Sequence, residues 1–285
     1  MNKTRLSAAV FSLACVTGAA LAQDISTVNG YNMQLRSFND FPTSNLQWGS
    51  AGAATNPGPV PGNFPLAPFS AGVEFNEQLP AGTGGFANRH EALFSNDHGA
   101  TPFGVNQFQS FTISTGVSIT TNPGSPRKEG GLKLNNNRGG GFIDEGEILV
   151  AGDNGEVAAF GGNMLFFTFG VGTYTPGTTG HLTYNYFAPG AVGPVAAYQI
   201  IFTDAVTGLH NSGVIGFDPA GASDPLHPAN GLNTGSTLGF LDQNQRLSNG
   251  DFADVVYSNP SVVPTPGVVG LLGLGGLGVA RRRRR

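Results

Sequence analysis

In several segments between Phe111 and Phe217, apolar side chains recur at every second position, the spacing that lines one face of a β-strand. Phe111 and Ile113 alternate with threonine and serine, and Val117 and Ile119 continue the pattern past Gly116. Leu132 and Leu134 alternate with Lys133 and Asn135. Ile148 and Val150 lead into Gly152-Asp153-Asn154-Gly155, and Val157 and Phe160 follow. That layout predicts a hairpin, because Asn-Gly supplies the positive backbone angles a tight turn needs. Leu165, Phe167, Phe169 and Val171 predict another strand, and so do Leu182, Tyr184 and Tyr186. Tyr198, Ile200 and Phe202 precede a turn at Asp204 to Gly208, after which come Val214, Ile215 and Phe217. No stretch of this region sustains a helical period.

Composition agrees: 44 glycines and 19 prolines beside 21 phenylalanines describe short strands joined by frequent turns. The expected fold is all-β, an antiparallel β-sandwich of jelly-roll type with long Gly/Pro-rich loops. The segment from Ala51 to Pro68 reads as one such loop or an irregular covering segment.

The two ends carry addresses. Lys3 and Arg5 precede a short apolar stretch, Leu6 to Gly18, and Ala20-Leu21-Ala22 supplies small residues for a signal peptidase. Residues 1–22 are therefore expected to be a signal peptide, cleaved between Ala22 and Gln23. At the other end, Pro264-Thr265-Pro266 precedes Gly267 to Ala280, an apolar run of 14 residues without a charge, and Arg281, Arg282, Arg283, Arg284 and Arg285 close the chain. The run is short for a bilayer span of about 20 residues, and arginine snorkelling together with the preceding valines would extend it. The arginines predict a cytoplasmic end for this apolar helix.

This three-part tail resembles the PEP-CTERM sorting signal of exosortase substrates. Pro264 and Pro266 match the two motif prolines, and Thr265 stands where that family usually has glutamate. The resemblance implies a Gram-negative-type envelope, membrane anchoring through residues 263–285, processing by an exosortase-type sorting enzyme, and delivery to the cell surface or extracellular matrix. Residues 23–262 remain as the β-sandwich body. Within it, the strand rhythm of Arg127 to Phe217 resembles concanavalin-type jelly rolls.

Charge narrows the partners. Seven of the 14 basic residues lie in the two ends, so the body sets seven against all 18 acidic residues, a formal charge of −11. An acidic body argues against nucleic acid, whose binding rests on neutralising phosphates. The one cysteine, Cys15, lies in the signal peptide, so the body has no disulfide, thiol nucleophile or thiolate ligand.

Five groups of residues invite a chemical reading. Glu145 and Glu147, two apart on a strand, would share a face about 6.5 Å apart. Retaining glycosidases need two carboxyl groups about 5–5.5 Å apart, and jelly-roll glucanases place them along one strand. Here glycine separates the glutamates, and Leu149 stands where a further acid would fall. The alternative is a solvated turn and strand start. Asp242, Asp251 and Asp254, with Asn244 and Asn249 nearby, form an oxygen-rich patch and are the calcium candidates, although they do not follow EF-hand spacing. His90, Glu91, Asp97 and His98 offer metal-ligand chemistry but read more simply as a polar loop. Arg127-Lys128-Glu129 reads as a charged strand edge. Trp48, Tyr174 and Tyr184 would stack on sugar rings if exposed and otherwise belong to the core.

No complete catalytic constellation is visible. The sequence thus predicts an exported, non-catalytic surface or matrix protein, with no cofactor unless calcium binds. The alternatives are a lectin-like carbohydrate-binding module, or a glycoside hydrolase or lyase on the same fold. The expected partners are signal peptidase, the sorting enzyme, the membrane and extracellular polysaccharide.

Overall fold

The computed structural model describes residues 24–58, 61–78, 85–122, 125–139, 142–218, 231–245 and 250–265. The expected signal peptide with Ala20, Ala22 and Gln23, and the tail from Pro266 through Arg281–Arg285, lie outside the described residues. Among the described residues no helix is long and apolar enough to cross a membrane.

The described chain is an antiparallel β-sandwich, as its alternation predicts. Its strands in chain order are β1 (Gly30–Asn39), β2 (Asn45–Gly49), β3 (Asn56–Pro57), β4 (Gly62–Leu66), β5 (Val73–Gln78), β6 (Ala87–Ser95), β7 (Phe111–Thr121), β8 (Lys128–Gly139) and β9 (Phe142–Ala151). They continue with β10 (Val157–Phe160), β11 (Phe167–Gly170), β12 (Thr179–Phe187), β13 (Ala197–Asp204), β14 (Gly208–Asn211), β15 (Ile215–Gly216), β16 (Thr237–Gln245) and β17 (Phe252–Pro264). Sheet A runs β11-β10-β9-β8-β16-β6-β1-β4. Sheet B runs β14-β13-β12-β7-β17-β5-β2-β3, with β15 beside β13. Consecutive strands often lie in opposite sheets, as jelly-roll connectivity requires.

The predicted apolar sets fill the space between the sheets. Phe111, Ile113, Val117 and Ile119 of β7 and Leu182, Tyr184 and Tyr186 of β12 are buried there with Leu132, Leu134, Ile148 and Val150. A close ring stack joins the layers, with Phe240 of β16 lying 4.3 Å from Tyr257 of β17, nearly parallel. The Tyr257 hydroxyl passes beyond the stack into sheet A, where it accepts from the Gly131 N–H and donates to the Leu241 carbonyl. Trp48, Tyr174 and Tyr184 are also core residues, at 7%, 1% and 0% exposure, so none of them is a surface platform for sugar.

Four expectations change. The strand predicted from Leu165 to Val171 shrinks to β11. Gly170 and Gly172 adopt positive φ and turn the chain, leaving Leu165 and Val171 exposed. The strand at Val214 likewise contracts to the two residues of β15, after Gly213 at φ 66°. The Ala51–Pro68 segment is not wholly loop, because β4 pairs with the edge of β1. Pro65 is tolerated there, since an edge strand has one unpaired side. The body also runs past the expected boundary at 262. Val263 pairs with Thr112 and Pro264 with Phe111, and the Thr265 N–H donates to the Ser110 carbonyl at 2.8 Å.

Tyr257→Phe keeps the stack but leaves a buried N–H and a buried carbonyl without their partner. The expected loss is about 1–3 kcal/mol, read as a lower urea midpoint with an unchanged slope.

Candidate functional site

Strands β6 and β16 lie side by side near the middle of sheet A and carry polar residues on both faces. Register sets the faces: Arg89 lies opposite Gln243, which lies opposite Glu129, while His90 lies opposite Asp242. Odd-numbered residues of these strands point away from the core, and even-numbered ones point into it.

The outward face holds a continuous charged network. Arg89 donates to Gln243 Oε1 at 2.9 and 2.6 Å, to Glu145 Oε2 at 2.9 Å, and reaches Glu147 Oε1 at 2.9 Å. Lys133 Nζ lies 2.6 Å from Glu145 and 2.9 Å from Glu147. Gln243 and Gln245 donate to Glu129 Oε2 at 2.6 and 3.0 Å. Arg127 closes the far end on Glu129 and on Glu156, the latter at 3.2 Å. Near β1, Ser37 donates to Glu91 at 3.2 Å. Beneath this layer Leu93, Leu149 and Leu241 are buried, yet none belongs to the core between the sheets.

Phenylalanines flank the network on the same face. Phe38 lies opposite Arg89 in the register and is 43% exposed, with Phe86 6.2 Å away. Phe160 lies opposite Glu147 and is 36% exposed. Five strand spacings separate β1 from β10 in sheet A, about 24 Å.

The predicted pairing of Glu145 and Glu147 is therefore present, on β9 rather than in a solvated turn. Its chemistry differs from a glycosidase pair, in which one carboxyl must hold a proton. Burial raises the Glu145 carboxyl, but Lys133 and Arg89 outweigh it and hold the group below its usual range. Arg127-Lys128-Glu129 is no sheet edge either, since β8 is interior to sheet A and Lys128 and Glu129 are buried at 0% and 1%.

The inward face holds a second cluster. Among the described residues, Glu77, His90 and Asp242 are the one set of three whose ligand-type atoms all lie within 4.8 Å of one another, and all three are buried. His90 and Glu91 thus sit in a central strand, not in the polar loop with Asp97 and His98. Asp97 instead accepts from Ser95 and Thr101 after the strand, which holds its carboxyl down at about 2. Glu77 accepts from Ser44 Oγ at 2.5 Å, Asn88 at 2.6 Å and Asn244 at 2.8 Å, with Arg36 at 3.8 Å. Burial opposes its charge, but the imidazole of His90 and these donors bring it down to about 2.

The backbone N–H of Arg36 donates to His90 Nδ1 at 2.9 Å, so the ring proton resides on Nε2, which faces Glu77 Oε2 at 3.4 Å. A metal takes a histidine through a nitrogen lone pair. Here one nitrogen already accepts a hydrogen bond and the other carries the proton. The trio reads as a buried polar cluster about the Glu77 anion, with Asn244 donating to both Glu77 and Asp242.

The calcium candidates do not converge. Asp242 lies in this interior cluster, Asp251 is paired with Lys128 at 3.0 Å, and Asp254 lies on β17 near Glu74. Asn249 lies outside the described residues. A depression of about 290 Å3, lined by residues including Thr120, Asn122, Ser125 and Asp153, has one carboxylate and no basic side chain in its lining.

No protein-family model matches the chain, and no curated protein matches it. Solved structures do. An alginate lyase from Pseudomonas aeruginosa is 12% identical, with a TM-score of 0.47, over 85% of this chain and 100% of that one. A family 7 alginate lyase in complex with substrate is 11% identical, with a TM-score of 0.44, over 80% and 95%. Lectin II from Ulex europaeus is 10% identical, with a TM-score of 0.42, over 76% and 92%. At such identities the likeness concerns the fold. It nevertheless corrects the expectation of a non-catalytic body. Alginate lyases are among the structures this chain resembles.

Burial, with the charges of Glu77 and Asp254, pushes the Asp242 carboxyl well up, although Asn244 and Lys128 pull the other way. Its remaining ionisable neighbours are His90 and Tyr257. A raised carboxyl favours the fold below its unfolded value of about 3.9, and that contribution fades as pH rises through the folded value. Asp254, pushed up to about 6 by burial and by Glu74, acts in the same sense. Glu77 and Asp97 act oppositely: their contribution is present above about pH 4.5 and is lost as pH falls toward about 2. The melting temperature is therefore expected to peak near about pH 5 and to fall toward pH 8. Asp242→Asn, which mimics the protonated carboxyl, is expected to flatten the alkaline limb. A parallel decline in both proteins, followed by calorimetry, would count against this assignment.

Proposed function

We propose that the body recognises a polysaccharide laid across the outward face of sheet A, in an exported protein held at the cell surface or in its matrix. One observation carries the reading. A row of carboxylates, amides and guanidinium groups crosses the sheet between exposed phenylalanines, Phe38 and Phe86 at one side and Phe160 at the other. Sugars present hydroxyl edges to polar groups and C–H faces to aromatic rings, and this face offers both along about 24 Å, enough for an oligosaccharide. Export and sorting rest on the sequence: the residues 1–22 leader, the Pro264-Thr265-Pro266 motif, the apolar run and the five arginines.

Affinity electrophoresis of the mature chain against a panel of polysaccharides tests the binding. One or more polymers should retard it, and Phe38→Ala combined with Phe86→Ala should weaken the interaction about tenfold, or about 1.4 kcal/mol. Retardation unaffected by these substitutions would exclude this face. Reducing ends and unsaturated sugar products measured in the same mixtures show whether binding is followed by cleavage. Cell fractionation of a chain lacking Arg281–Arg285 tests the sorting reading, which predicts loss of retention at the envelope.

A further inference from the structure

We infer that the polysaccharide taken by this face carries no acidic groups. The inference rests on the binding reading above and narrows its ligand class by charge. Among the described residues the network contains three cations, Arg89, Arg127 and Lys133, against five carboxylates, Glu91, Glu129, Glu145, Glu147 and Glu156.

Each cation is already engaged by the protein. Lys133 bridges Glu145 and Glu147 and has a side-chain exposure of 0%. Arg89 uses Nε, Nη1 and Nη2 on Gln243, Glu145 and Glu147. Arg127 uses Nε on Glu129 and both terminal nitrogens on Glu156. A uronate or sulfate ester would have to displace an internal carboxylate from one of them, leaving that carboxylate beside the incoming anion. Like charges brought together in a partly dehydrated site repel, and the exchange has no compensating gain.

The group that faces outward is an acceptor. Glu145 has a side-chain exposure of 53%, against 26% for Arg127 and 18% for Arg89. An ionised carboxylate in that position accepts hydrogen bonds from sugar hydroxyl groups, or from the ammonium of an amino sugar. The carboxamides of Gln243 and Gln245 lie along the same row. The phenylalanines at the flanks stack on sugar rings whatever the polymer's charge.

The test is affinity electrophoresis of the mature chain with a neutral glucan, a glucosamine polymer, alginate and polygalacturonate, each at low and at about physiological salt. The expected result is retardation by the neutral glucan or the glucosamine polymer, with the acidic polymers at least about tenfold weaker. Glu145→Gln should lose about tenfold in affinity for the retained polymer, with a single cooperative unfolding transition kept and a melting temperature lowered by the lost contacts to Lys133 and Arg89. Tighter binding of alginate or polygalacturonate, weakening as salt is added, overturns the inference while leaving polysaccharide recognition standing. Failure of all four polymers to retard the chain removes the binding reading and this inference with it. An unchanged affinity in Glu145→Gln overturns the role given to that carboxylate.

Discussion

One buried anion sets terms for much of this sandwich. Glu77 comes from sheet B and lies at 0% exposure between the layers, and nearly all that stabilises its charge comes from elsewhere in the chain. Ser44 reaches it from the turn before β2, Asn88 and His90 from β6, Asn244 from β16, and Arg36 from β1. A carboxylate removed from water costs several kcal/mol unless its oxygens are met by donors. The donors are correctly placed only when strands of both sheets stand in their native register. Arg36 shows how far the backbone accommodates this cluster. The residue sits at φ 56° where the β1–β6 register shifts, and its guanidinium turns inward to Asn39, Phe41 and Ser44. A bulge of this kind re-aims one side chain at the cost of a ladder step.

Strands β6 and β16 consequently do two tasks with alternate residues. Asn88, His90, Asp242 and Asn244 tie the sheets together from within, while Arg89, Glu91 and Gln243 build the outward face. The proposed binding face is thus carried largely by strands in the middle of sheet A, with Phe86, Arg127 and Glu156 added from the connections beside them. Arg89 and Lys133 are fixed by several partners each, so the outward groups are pre-ordered, and little side-chain freedom is lost when a ligand arrives.

The same division explains what the sequence disclosed. Strands β7, β8, β9, β12 and β13 alternate apolar with polar residues and were legible at once, as was the Asn154-Gly155 turn. Strands β6 and β16 carry polar side chains inward as well, so no period of two shows, and His90-Glu91 resembles a loop until pairing partners are known. Glu145 and Glu147 were legible as a pair because they lie in one strand. Their link to Arg89, 56 residues earlier, was not, because spacing along the chain says nothing about which strands become neighbours. Asp242, Asp251 and Asp254 were legible as a patch by their closeness in sequence, but not that Asp242 would join Glu77 and His90 or that Asp251 would pair with Lys128.

Strand β17 has a mechanical consequence. It lies in the middle of sheet B, hydrogen-bonded to β7 on one side and β5 on the other, and its pairing with β7 continues to Pro264. Tension applied from the C-terminal side would enter the body along this strand's own axis. The hydrogen bonds to both neighbours would then bear the load together, in shear, rather than opening one after another as at a peeled edge. A chain tethered by its C-terminal end and gripping a polymer with its opposite sheet would be loaded through its strongest seam.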